Sequence, residues 1–193
     1  MLSKISTQIA IFISQNGGTK QKINIYKYGI ECLLNEFISD LLLIILGILF
    51  NQLIEILIWN LSFTFIRIHI GGFHASSNRN CILIGIVISY LHFYLNFIWY
   101  KLSWQTIILF FICCILFSYI YAPIVHPNRQ LTSAQKYVAK YKTLLYISIE
   151  WIIAYILLLF HFPYADSIFS GIFVAVSMAC IPIIKQKFNL HKL

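Results

Sequence analysis

Charge is scarce in this sequence: 10% of its 193 residues are charged, and only six are acidic. A soluble domain carries about a quarter charged residues, so water is excluded as the chain's main solvent. The four prolines and eight glycines form no linker-like tract, and no repeat divides the chain. Nothing marks a domain boundary, and the expectation is one integral-membrane domain over residues 1–193. The five cysteines, Cys32, Cys81, Cys113, Cys114 and Cys180, are odd in number and lack paired metal-ligand spacing, which argues against a disulfide framework. Cys113, Cys114 and Cys180 sit in apolar runs and read as packing residues. The amino terminus has no signal-peptide cleavage pattern.

What the sequence does have is oil. Hydrophobic residues make up 60% of it, and the mean hydropathy is +0.83. A bilayer core takes roughly 20 apolar residues per helical span, so this length holds one compact bundle. Apolar runs between polar breaks predict six spans: Cys32 to Phe50, Leu53 to Ile66, Cys81 to Tyr100, Trp104 to Tyr121, Thr143 to Phe160, and Ala165 to Ile184. The fold class expected is therefore all-α, a polytopic membrane helical bundle. The first two spans are the most polar and the second is short, so this pair could instead form a re-entrant or tilted hairpin. Ahead of them, Leu2, Ile5, Ile9, Phe12 and Ile13 share one helical face, the pattern of a short amphipathic helix in the interface. A frayed terminus is the plain alternative.

Basic residues set the orientation, because cytoplasmic loops near span ends carry the excess of Lys and Arg. With six spans and a cytoplasmic amino terminus, thirteen of the fourteen basic residues fall inside and only Lys101 falls outside. Both termini, the segment Arg67 to Asn80 and the stretch His126 to Lys142 are then cytoplasmic. Trp99, Tyr100, Trp104 and Tyr121 fit interfacial aromatic belts. A net charge of +8 suits anionic lipid or an acidic peptide, and nucleic acid is not an expected partner. The abundance of Ile, Lys, Asn, Tyr and Phe suggests an AT-rich genome of bacterial type.

Chemistry concentrates between spans two and three, where Arg67-Ile-His-Ile-Gly-Gly-Phe-His74-Ala-Ser-Ser-Asn-Arg-Asn-Cys81 gathers charge, glycine, histidine and cysteine. Cys81 stands at the amino end of a span, where unsatisfied backbone N–H groups and the helix dipole favour a thiolate. Cysteine at its ordinary pKa of about 8.5 is mostly protonated, so a nucleophilic one needs such help, and a neighbouring His would add to it. In a continuous helix, residues seven apart are separated by about 10.5 Å of rise, so His74 and Cys81 can cooperate only if the chain turns within Ala75 to Asn80. Gly71-Gly72 would let the chain bend close to a bound peptide. The plain readings are a polar interfacial His74 and a Cys81 that packs. A metal site from His69, His74 and Cys81 has the minimum ligand number but no familiar spacing, and no metal or other cofactor is expected.

Glu36 and Asp40 lie four apart on one face of the first span, and Glu150 lies about two turns into the fifth. Intramembrane carboxylates are functional candidates by default, and one could orient His74 as a third group does in a triad. Hydrogen bonding to Asn35, Asn60 or Asn96, or a protonated acid, is the plainer reading, and no third catalytic residue is assigned. The competing function is a small transporter or peptide exporter that uses these three carboxylates along a polar path.

Arg67, His69, Gly72, His74-Ala75, Ser76-Ser77 and Cys81 resemble the pattern of the accessory gene regulator B (AgrB) family, membrane cysteine endopeptidases that process quorum-sensing propeptides. Tyr28-Gly29-Ile30-Glu31, Tyr121-Ala122-Pro123 and the order of spans and basic loops extend the likeness over nearly the whole chain. The resemblance implies His74 as base and Cys81 as nucleophile, with Arg67 and Gly72 in support and Arg129 in contact with substrate. It implies a propeptide like AgrD, with an amphipathic leader and an acidic tail that cleavage removes before a thiolactone ring closes. A homodimer is a candidate assembly. One departure falls at the position given to Arg129: Pro127-Asn128-Arg129-Gln130 stands where the family usually has Lys-rich sequence followed by Pro.

Overall fold

The computed structural model describes residues 2–18, 22–73, 78–99, 101–125 and 131–190, and leaves the side chains at 78, 81, 89, 93–99 and 187–190 undescribed. The all-α expectation holds. Among the described residues there are seven helices: α1 (Leu2–Gln15), α2 (Ile23–Leu49), α3 (Leu53–Ile70), α4 (Asn78–Trp99), α5 (Trp104–Tyr121), α6 (Ser133–Leu159) and α7 (Ala165–Leu190). Five, namely α2, α3, α5, α6 and α7, are long and apolar enough to cross a bilayer. The sixth apolar helix, α4, has 22 residues, about 33 Å at the helical rise. The two polar spans are full helices of 27 and 18 residues rather than a re-entrant pair. Apolar runs underestimate both, because α2 starts nine residues before Cys32 and α3 continues through Arg67 and His69.

The turns explain why the helices stop. Between α2 and α3, Asn51 takes a left-handed conformation with φ of 58°, which Asn tolerates better than most residues. The Gln52 N–H then donates to the Gly47 carbonyl at 2.8 Å, so three residues reverse the chain. Helix α6 begins at a capping box, in which Thr132 Oγ1 accepts from the Gln135 N–H and Gln135 Oε1 accepts from the Thr132 N–H. Two otherwise orphaned donors are satisfied there.

Helix α7 is the centre of the bundle: 56% of its most apolar stretch is buried, against 17% for α2, α5 and α6. Small residues allow this close approach. Ser167, Ser170, Ala175 and Ala179 are fully buried, and a Cβ on Gly171 would come within 2.8 Å of Ser62 on α3. The outer helices turn apolar side chains outward, such as Leu33 and Phe37 of α2, Leu109 and Leu116 of α5, and Ile152 and Leu159 of α6. That is the surface a lipid-facing helix needs. Helix α1 behaves as its pattern predicts. Ser6, Ala10 and Ser14 are buried and the helix packs on α2, while Ile5, Ile9, Phe12 and Ile13 stay exposed.

Candidate active site

The last carbonyls of an α-helix have no partner within it, and at the end of α3 the chain supplies partners from three directions. Arg67 folds back and its guanidinium donates to the Gly71 and Phe73 carbonyls. The Ile124 N–H donates to the Ile70 carbonyl at 2.8 Å, and Gly71 pairs with Ile124 in a short parallel bridge. The Phe73 N–H donates to the Met178 carbonyl of α7 at 3.2 Å. Residues 71–73 are thereby staked to α3, to α7 and to the segment that follows α5.

Only glycine fits this stake. Gly71 and Gly72 have φ of 77° and 122°, a region that side chains disfavour. A Cβ on Gly71 would lie 2.1 Å from the Ile124 oxygen; one on Gly72 would lie 2.2 Å from Arg67 Nη1 and 2.9 Å from the Ala179 Cα. The second contact surface, Tyr121-Ala122-Pro123-Ile124, contains a cis Ala122–Pro123 peptide. Two stretches singled out separately in the sequence thus meet backbone to backbone.

Beside the stake opens a cleft of about 730 Å³, counting its open mouth, between α2, α3, α4 and α7. One wall is polar: α2 contributes Asn35, Glu36, Ser39 and Asp40, and α3 contributes Asn60 and Arg67. Asn60 Nδ2 donates to Asp40 Oδ1 at 3.0 Å, and Thr64 Oγ1 donates to Glu36 Oε1 at 3.3 Å. Asp40 therefore has one of the partners its sequence suggested. The other wall is apolar, formed by Ile84, Gly85 and Ile88 of α4, with Phe73 of the stake at the rim.

Of the five residues expected in the site, the description reaches three. Arg67 and Gly72 form the stake. Cys81 is the fourth residue of α4, in its first turn, and its thiol lies outside the described side chains. His74 and Arg129 lie outside the described residues, and so does the expected approach of imidazole to sulfur. The position of Cys81 is nonetheless informative. Residues i, i+3, i+4 and i+7 share a helical face, and Cys81 stands in that register with Ile84, Gly85 and Ile88, all three on the cleft wall. Helices α2 and α4 run the same way, since α3 reverses the chain between them, and they come close where a Gly85 Cβ would lie 3.2 Å from Ser39 Oγ. One turn back from that crossing brings Cys81 on α4 level with Asn35 and Glu36 on α2. Phe73, the residue before His74, borders the same space.

Other candidates separate from this cleft. Glu150 accepts from Ser62 Oγ, outside the cleft lining, and Ser62 also lies 3.3 Å from the Ile168 carbonyl. The three intramembrane carboxylates do not share one path. His69 stacks on Tyr146 of α6, with ring centroids 5.2 Å apart. Cys114 is buried in the core as its apolar run suggests, whereas Cys113, read as a packing residue, is exposed on α5. Cys32 is half-buried and lines the cleft. Sequence reasoning missed Ser39, Trp59 and Ile124 as parts of the site. Ser39 alone had a signal, because it extends the polar stripe of Asn35, Glu36 and Asp40.

The sequence model described as Accessory gene regulator B matches residues 6–183. A protein of Clostridium perfringens (strain 13 / Type A), provisionally named AgrB-like protein 2, is 28% identical over 143 residues, covering 70% of this chain and 67% of that protein. An AgrB-like protein of C. perfringens strain SM101 / Type A, also provisionally named, is 29% identical over 142 residues, covering 70% of this chain and 65% of its own length. The chain spans about two thirds of the length of these relatives. No solved structure matches it.

Proposed function

Because the chain belongs to the accessory gene regulator B family, we propose that it is a membrane cysteine endopeptidase that trims an AgrD-like propeptide during production of a cyclic quorum-sensing peptide. The observation that carries this reading is the register of Cys81, one turn from the cleft wall of α4 and in the first turn of its helix. A thiol there meets the favourable end of the helix dipole, beside the open cleft.

In this mechanism His74 takes the proton of Cys81, and the thiolate attacks the carbonyl carbon of the scissile bond. The tetrahedral adduct collapses as the C–N bond breaks, and His74 returns the proton to the departing amine of the acidic tail. The acyl group is left as a thioester on Cys81. A cysteine of the peptide then attacks that thioester, its proton passes back to the Cys81 sulfur, and a thiolactone is released. One thioester replaces another, so ring closure needs no nucleotide. It does require that water be kept from the acyl-enzyme, and the apolar α4 wall suits that task. Arg67 and Gly72 support the reaction by fixing residues 71–73, from which His74 follows directly. Arg129 lies in the basic stretch that would draw the acidic tail, with both termini and the His74 loop on the cytoplasmic side.

The test is co-expression with an AgrD-type propeptide. Cleavage is expected to vanish in Cys81→Ala and in His74→Ala with both variants inserted normally, and alkylation of Cys81 in membranes is expected to slow in His74→Ala. Cleavage that persists in either variant overturns the mechanism. An exporter would instead survive Cys81→Ala and fail when Glu36 and Asp40 are neutralised, and the separation of Glu150 from the cleft counts against its proposed path. Residue 74 reachable by an impermeant thiol reagent only from outside, after His74→Cys, would reverse the orientation.

A further inference from the structure

The cleft carries more information than a catalytic cysteine requires. Its charged lining is Glu36, Asp40 and Arg67, a balance of one negative charge in a protein whose net charge is +8. Arg67 donates to the Gly71 and Phe73 carbonyls, and the described hydrogen bonds of Glu36 and Asp40 each engage a single carboxylate oxygen. Both carboxylates act as acceptors in those bonds. Glu36 is exposed, and Asp40, one turn further along α2, is half-buried. A second observation points to an occupant. Trp59 lines the cleft and is 2% exposed, yet its buried indole N–H has no acceptor among the described residues. A buried N–H of this kind normally finds an acceptor, so this side of the cleft is incompletely satisfied among the described residues.

We propose, resting on the peptidase reading above, that this cleft binds the acyl side of the propeptide, the residues ahead of the scissile bond, and that Glu36 and Asp40 select there for uncharged or basic side chains. The position of Cys81 sets the direction. The carbonyl that it attacks belongs to the acyl side, which must lie against the wall that Cys81 shares, level with Glu36. The leaving side is an acidic tail. The carboxylates of the cleft repel such a tail and so prevent the peptide from binding back to front, while the basic stretches elsewhere attract it. Discrimination of this kind is a penalty placed on the wrong arrangement as much as a contact offered to the right one. The second oxygens of the two carboxylates would meet peptide N–H groups.

The experiment uses the full-length protein in nanodiscs and three synthetic AgrD-type propeptides that differ only in the residue preceding the scissile one, which is Asp, Asn or Lys. Binding is read on Cys81→Ala by anisotropy of a labelled peptide, and cleavage is read on the unaltered protein. The Asp peptide is expected to bind about tenfold more weakly than the Asn or Lys peptide. The combined Glu36→Gln and Asp40→Asn variant, which keeps shape and hydrogen-bonding capacity, is expected to remove that difference. Changing the charge of the tail should weaken binding equally in both backgrounds. Equal binding of the three peptides, or a preference that survives the double variant, overturns the proposal. The three-peptide comparison on unaltered protein needs no variant, so it decides even where the double variant fails to insert. Charge-selective binding without cleavage of any peptide would sink the peptidase reading and leave the cleft as a peptide site; cleavage without charge preference would sink the cleft proposal alone. No binding of any of the three overturns both.

Discussion

Glu36 and Glu150 are the same residue type on helices that both pack against α3, yet their surroundings have little in common. Glu36 meets Thr64 and faces an open cleft. Glu150 is held by Ser62 where α3, α6 and α7 pack together. The difference comes from the two faces of α3. Trp59, Asn60, Phe63 and Arg67 line the cleft, whereas Ser62 meets Glu150 and Ile66 and Ile70 are buried in the core. One helix thus borders both an open cleft and a close-packed core, with Glu36 at the first and Glu150 at the second.

The largest effect is expected at the boundary between the two. Gly72→Ala puts a Cβ onto Arg67 and the α7 backbone at a φ of 122°, which must displace the segment that leads to His74. A misplacement of about 1 Å can cost about a hundredfold in rate, so propeptide processing should fall by that order in protein that still inserts. If Gly72→Ala processes normally, residues 71–73 do not position the reaction.

Next comes the dry side. Gly171→Val crowds Ser62 and the Trp59 carbonyl, which lie within 2.8 and 3.0 Å of a first Cβ. Overpacking of this kind typically costs about 1 to 3 kcal/mol. Unfolding in detergent–lipid micelles should show that loss, with the cleft substitution Glu36→Gln costing much less. Comparable losses would mean that the cleft is as tightly packed as the core.

The smallest effect sharpens the comparison within α3 itself. Ser62→Ala removes the hydroxyl that holds Glu150 and should cost on the order of 0.6 kcal/mol, the average for a hydrogen bond between membrane helices. Asn60→Ala, two residues away, removes the partner of Asp40 on the open side, where water can replace it. It should leave unfolding almost unchanged and alter the charge preference for peptide instead. Equal stability losses from the two would erase the distinction between the faces.

Particular residues show how far the sequence could be read. Asp40 and Asn60 were legible as partners, because polar groups inside a bundle must find one another. Thr64 and Ser62 were not, because hydroxyls are common in membrane helices and carry no signal of which neighbour they meet. Arg67 and Gly72 stood out in the polar loop and in the family pattern, but their joint role in holding residues 71–73 appears only when Ile124 and Met178 are brought alongside. Ile124 itself had no visible signal, since its part in the site is played by backbone N–H and C=O groups that every residue possesses.

By itself, the sequence determined the solvent, the all-helical class and the approximate helix boundaries, because hydrophobic length and the cost of bare backbone in lipid leave few alternatives. It also marked the short segment in which chemistry is concentrated, since Gly, His, Arg and Cys are conspicuous among apolar neighbours. Only the tertiary structure decided that α7 is the central helix, that α3 divides an open cleft from a packed core, and that Cys81 stands level with Asn35 and Glu36. Those outcomes depend on crossings between helices far apart in the chain, such as Gly171 on Ser62 and Gly85 on Ser39. A hydrophobic run records how far a helix can extend, but the contact of two small residues on different helices leaves no trace in either run alone.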